Sequence, residues 1–137
     1  MPTSGYSETA LATKLGIKAG MTVALIHEPE GFRTLLEPLP EPLTFRDSVR
    51  GRADTVIAFF VQRAPLRRRL PALVKAIYPQ GGLWLAWPKK SSSIETDLSG
   101  SQIRGLGLAA GVVDVKVCAI DDDWSGHRFV YRTKDRR

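Results

Sequence analysis

At 137 residues, with 43% hydrophobic and 25% charged side chains, the chain suits one domain whose single core buries roughly two thirds of the surface exposed by the unfolded form. Cys118 is the lone cysteine, which excludes an internal disulfide and a cysteine-rich zinc module, and the longest apolar run, residues 56–61, is far too short to span a bilayer. Twenty Lys and Arg against fourteen Asp and Glu leave a net charge of +6, unevenly placed: seven cations and no acid fall between positions 55 and 94. The opening MPTSGYSETA has neither the basic region nor the apolar stretch of a leader, so a cytoplasmic protein without membrane contact is expected.

Taken in chain order, Ser7 is placed to cap a short helix that runs to Leu15 and stops at Gly16. A strand follows over residues 21–26. The turn HEPEG, residues 27–31, then leads into a helix of at most about two turns, because Pro38, Pro40 and Pro42 crowd its end. Residues 43–46 make a weak strand and residues 47–53 a polar loop. Residues 56–61 are apolar on both faces, as a central parallel strand covered by helices should be. Leu66, Leu70, Leu73, Val74 and Ile77 recur at helical spacing with Arg68 and Lys75 opposite; Pro71 means that this helix either kinks there or begins at Leu70.

Gly81-Gly82 returns the chain to a strand, residues 83–87, which Pro88 ends. After a polar loop, Ser99 and Gln102 form a capping box for a helix carrying Ile103, Leu106 and Ala110 and stopping at Gly111. Gly105 and Gly107 each weaken that helix by about 1 kcal/mol relative to Ala, so close packing against the sheet is expected to compensate. Val113, Val115, Val117 and Ala119 alternate with Asp114, Lys116 and Cys118, which predicts an edge strand with the valine face buried. A turn at residues 121–126 pairs it with a strand at residues 127–132 in an antiparallel hairpin. The first six and last five residues are expected to fray.

Four strands joined by helical crossovers and closed by a hairpin predict an α/β, Rossmann-like three-layer sandwich. The succession LGIKAGMTVALI, DTVIAFFV, YPQGGLWLAWP and VVDVKVCAI followed by HRFVYR resembles a shortened class I methyltransferase fold. That resemblance implies a mostly parallel six-stranded sheet of order 2-1-3-4-6-5 with strand 6 antiparallel, and one strand and its helix missing between Leu43 and Asp54. More narrowly, GYS, LGIKAGM, EGF, LAWPKK, TDL, VDVKVCA and WSG followed by RFV resemble a family of small bacterial proteins grouped as a domain of unknown function (three-zero-five-two). The resemblance runs from Gly5 to Arg132 and implies no activity.

In an open parallel sheet, ligands bind beyond the carboxyl ends of the strands where the strand order reverses, here between strands 1 and 3. The residues placed at that edge are His27, Glu28, Glu30 and Gly31 after strand 1, Gln62 and Arg63 after strand 3, and Lys89 and Lys90 after strand 4, with Trp87 and Trp124 at the rim. An adenosylmethionine or dinucleotide site needs a glycine-rich turn after strand 1, so that backbone can approach the ligand. IHEPEG offers one glycine, a proline and two carboxylates instead, so no cofactor is expected and adenosylmethionine is the alternative. Lys89, Lys90 and the serines at 91–93 have the donors for a small anionic ligand, but without a glycine nest they read first as a solvated loop. Arg67, Arg68 and Arg69 have the charge for a nucleic-acid backbone, yet also suit an ordinary surface helix.

Asp121, Asp122 and Asp123 lack calcium-loop spacing, and Ser125 with His127 lacks a third triad member. Cys118 reads as a small half-buried residue. The expectation is therefore a non-catalytic binding or interaction module with an unidentified protein partner or small anion, able to self-associate through its edge strand. A divergent enzyme, with Glu28 or Glu30 as base and Lys89 as anion anchor, comes second, and a nucleic-acid-associated protein third.

Overall fold

The structure is a computed structural model that describes residues 9–136. Its elements are α1 (Leu11–Lys14), β1 (Thr22–Ile26), α2 (Phe32–Leu35), β2 (Thr44–Arg46), β3 (Thr55–Phe59), α3 (Arg63–Ala76), β4 (Gly82–Pro88), α4 (Gly100–Ala109), β5 (Val112–Ala119) and β6 (Trp124–Tyr131), followed by a 3-10 turn at Thr133–Asp135. One six-stranded sheet has the order β2-β1-β3-β4-β6-β5. The β1, β2, β3 and β4 pairings are parallel, and β6 runs antiparallel to both β4 and β5. This is the expected Rossmann-like sandwich. No helix among the described residues is long and apolar enough to cross a membrane.

β3 and β4 are buried along their whole length. Alternate side chains feed two cores because successive residues of a strand point to opposite faces. Val56, Ala58, Leu83, Leu85 and Trp87 pack with Leu66, Leu70 and Leu73 of α3 and Ile103 of α4. Ile57, Phe59, Trp84 and Ala86 pack with Ala12 of α1 and Phe32 of α2. Trp84 is wholly buried and donates its indole N–H to the Leu15 carbonyl at 2.9 Å, fixing the chain just after α1 to the centre of the sheet. At the other end, the Arg46 guanidinium donates to the carbonyls of Arg50 and Arg52 at 2.8 and 2.6 Å. It thereby folds the short β2–β3 loop.

Several expectations need correction. The first helix starts at Leu11 after Ala10, which makes no side-chain cap; Ser7 and the first six residues lie outside the described residues. α3 begins at Arg63, two turns before Pro71, so the helix does not start at Leu70. Pro71 is tolerated because it sits on the exposed side, where water can satisfy the Arg67 carbonyl left without a donor. The tail continues as the 3-10 turn, held by Arg136 Nε donating to the Tyr131 carbonyl at 2.8 Å. The valine face of β5 is not buried: Val115 and Val117 are 52% and 57% exposed. An irregularity between Asp114 and Lys116 shifts the register there, and the buried valine of the strand is Val112 at its start.

α4 reaches the sheet through Gly107. A Cβ at that position would overlap the Phe129 ring, whereas one at Gly105 would meet nothing within 4 Å. The close packing expected of both glycines therefore belongs to Gly107 alone. Gly107→Ala should lose about 1–3 kcal/mol to overpacking, and Gly105→Ala should gain up to about 1 kcal/mol of helix propensity. Urea unfolding of the two variants checks this, and a shift of the same sign in both would contradict it.

His127, 8% exposed, stands on β6 with Trp87 edge-on at 5.0 Å, and its Nδ1 has no partner among the described residues. Burial pushes its pKa below the ordinary 6.5; Asp114 opposes that shift and Arg104 adds to it. The unfolded chain then binds more protons at this site than the folded one, so the stability is present above pH 6.5 and is lost as pH falls from there through the lower folded-state pKa. Chemical denaturation should show lower stability at about pH 5 than at about pH 8, with a smaller difference in His127→Phe. An equal difference in the variant would place the dependence elsewhere.

Candidate functional site

β1 and β3 are adjacent and parallel, and the chain leaves them in opposite directions along the sheet, to β2 and to β4. Their carboxyl ends therefore frame the crevice at which a ligand would sit. There the structure holds a cavity of about 360 Å³ lined by His27, Pro29, Phe60, Gln62, Pro65 and Trp124, among others. His27, the first residue after β1, takes φ 58° and lays its imidazole edge-on against Phe60 at 5.0 Å. Behind it, Phe32, Phe59 and Trp124 form a run of edge-to-face contacts at 4.9 and 5.1 Å. Such contacts hold rings in defined orientations. The walls are aromatic and apolar, with Gln62 and the imidazole as the polar groups.

The rest of the predicted edge is distributed differently. Glu28 pairs with Arg33 at 3.3 Å, and Glu30 is exposed. Gly31 supplies the positive φ of 84° that opens α2, and a Cβ there would meet nothing within 4 Å. It is a turn glycine, required by its positive φ and not by close packing. Lys89 and Lys90 line a second, larger hollow of about 930 Å³ with Trp87, Ser93, Glu95 and Ser99, between the end of β4 and the start of α4. Arg63 belongs to a third, a groove of about 590 Å³ along α3. The structure thus brings His27, Gln62 and Trp124 together and separates them from Trp87, Lys89 and Lys90.

The β4–α4 loop builds these divisions. Thr96 Oγ1 donates to the Val61 carbonyl at 2.6 Å, and the Asp97 carboxylate accepts from the Arg63 backbone N–H at 2.7 Å, capping α3 from 34 residues away. Ser92 Oγ donates to Asp123 at 2.8 Å, tying the same loop to the β5–β6 turn. Within that turn Asp121 accepts from the backbone of Asp123 and Trp124, both at 2.8 Å, so two carboxylates of the acidic run, Asp121 and Asp123, have structural tasks. The partners of Thr96 and Asp97 lie 35 and 34 residues away, so no local pattern in the sequence points to these two side chains. Phe60 and Pro65 did carry a signal, as an aromatic at the end of a central strand and a proline in the next first turn. Burial pushes the Cys118 thiol above its ordinary pKa against the pull of Lys116 and Lys14, which keeps it protonated near neutrality.

No protein-family model matches the chain, and no curated protein does. Solved structures do. Magnesium protoporphyrin IX methyltransferase from Synechocystis PCC 6803, with bound SAH, is 12% identical over 90% of this chain and 80% of its own, with a TM-score of 0.63. An SAM-dependent methyltransferase from Aquifex aeolicus is 13% identical over 87% and 86% at a TM-score of 0.58. The DhpI-SAH complex is 11% identical over 90% and 83% at 0.62. At such identities the likeness establishes the fold: the chain has the sheet of class I SAM-dependent methyltransferases.

Proposed function

We propose that this protein is a non-catalytic, Rossmann-like binding module that retains the methyltransferase-type sheet and takes a small planar ring, rather than adenosylmethionine, at the crevice between β1 and β3. The observation that carries the reading is His27. A nucleotide-type turn after β1 leaves room for ligand against bare backbone, but here the turn carries an imidazole packed on Phe60. α2 has four residues, too few for a substantial macrodipole at its start. The residues present thus do not fit adenosylmethionine. The resemblance to the small bacterial family of unknown function is part of the same reading, since it brings no activity with it. A cytoplasmic location also belongs to it.

A second reading, a divergent methyltransferase, draws support from neighbours whose structures contain SAH. Its base would be Glu28 or Glu30 and its anion anchor Lys89, groups that lie on different hollows or on none.

Thermal unfolding with ligand separates the two. A ligand at about a hundred times its Kd stabilises by roughly 2.7 kcal/mol, a rise of several degrees in a chain of this size. The expected result is no shift with adenosylhomocysteine, and a shift with at least one small planar ring such as indole or adenine that is lost in Trp124→Ala. A rise of several degrees with adenosylhomocysteine would overturn the proposal in favour of the methyltransferase.

A further inference from the structure

α3 buries Leu66, Leu70, Leu73 and Val74 and turns Ala64, Arg68, Pro71, Ala72 and Lys75 to solvent, with Arg63 and Arg67 exposed along one flank. That outer face holds cations and small residues only. Exposed helices ordinarily intersperse both signs and gain from opposite charges four residues apart. Here Arg63 and Arg67 stand four apart with the same sign, and the positive N-terminal end of the helix lies beside them. Among the described residues the three ion pairs use Arg33, Arg52 and Arg104, and none uses a cation of α3. Asp97, the one acid on the groove beside Arg63, Arg67 and Arg68, is bound to the Arg63 backbone N–H and makes no ion pair with a guanidinium. The charge is therefore exposed, in no ion pair with a described residue, offset in the groove by Asp97 alone and concentrated on one helix.

We propose that the outer face of α3 binds the phosphate backbone of duplex DNA without reading its sequence. Phosphate neutralisation by Lys and Arg supplies such affinity. Ala64, Pro71 and Ala72 let a backbone approach between the cations. Arg68 and Lys75 lie two turns apart on one stripe, about 10 Å by the rise of a helix, close to the roughly 12 Å width of the DNA major groove. The face carries no aromatic ring on which unstacked bases could lie, which disfavours a single strand. Duplex RNA has a major groove too deep and narrow to admit a helix.

The test is fluorescence anisotropy of the whole chain with 20-base-pair duplex DNA, the matching single strand and duplex RNA, each across a salt series. Four neutralised phosphates predict a log–log salt slope of roughly −3.6, so affinity for duplex DNA should fall about a hundredfold between 50 and 200 mM salt. Arg67→Ala/Arg68→Ala should make the slope shallower by about 2, whereas Arg67→Lys/Arg68→Lys should restore it. Arg132→Ala/Lys134→Ala, which removes the same charge from the tail, should leave it unchanged. Alanine is a strong helix former and both positions are exposed, so the fold should persist, as circular dichroism would show. No binding at 50 mM salt, tighter binding of the single strand or the RNA, or an equal loss in the tail variant would overturn the proposal.

Discussion

The two-sided burial of β4 is the constraint on which the rest depends. Every residue from Gly82 to Pro88 is buried, so each face of the strand must be covered by a separate layer. On one side α3 and α4 meet Leu83, Leu85 and Trp87; on the other the chain around α1 meets Trp84. Trp84 does more than fill space. Its indole N–H needs a buried acceptor, and the Leu15 carbonyl supplies one, so a segment with little helix of its own is held where the core requires it. The hairpin then closes the sheet, with β6 antiparallel against β4 and β5 outside it.

That architecture determines where a ligand could bind and leaves the chemistry of the place to loops. The carboxyl ends of β1 and β3 face a crevice in any sheet of this order. In this chain the crevice is narrowed by aromatic side chains: Phe59 ends β3 and meets Trp124, and Phe60, the next residue, meets His27. The β4–α4 loop, bound at Val61, Arg63 and Asp123, divides the remaining edge into separate hollows. Aromatic walls there suit a flat and weakly polar guest. The charged groups lie outside, on α3 and beside Lys89, where water screens them and an extended polyanion could reach them.

Much of the fold was legible in the sequence because its signals are local. The two-sided apolar run of β3, the capping box of Ser99 and Gln102, and the Gly81-Gly82 turn each name an element and its limit. The strand order came with the resemblance to the class I methyltransferase fold, and the sheet has that order. Where reading failed, a nonlocal partner decided the outcome. Alternation alone put Val115 and Val117 inside, but the irregularity in β5 shifts its register and leaves both valines exposed. Pro71 left open a kink or a helix start at Leu70; α3 extends two turns before it, and Asp97 caps its first N–H from the far loop. The candidate site was legible as a list of edge residues; which of them share a cavity depended on side-chain packing and on the loop carrying Thr96 and Asp97.

The central claim is that the crevice at the β1 turn is shaped for a small ring and closed to a nucleotide-sized cofactor by the packing of His27 on Phe60. Amide-resolved NMR titration tests it most directly. With small planar ring compounds, the account predicts shift changes clustered at His27, Phe60, Gln62 and Trp124, and with adenosylhomocysteine none in the turn from His27 to Gly31. Saturable adenosylhomocysteine-dependent changes in that turn would contradict it.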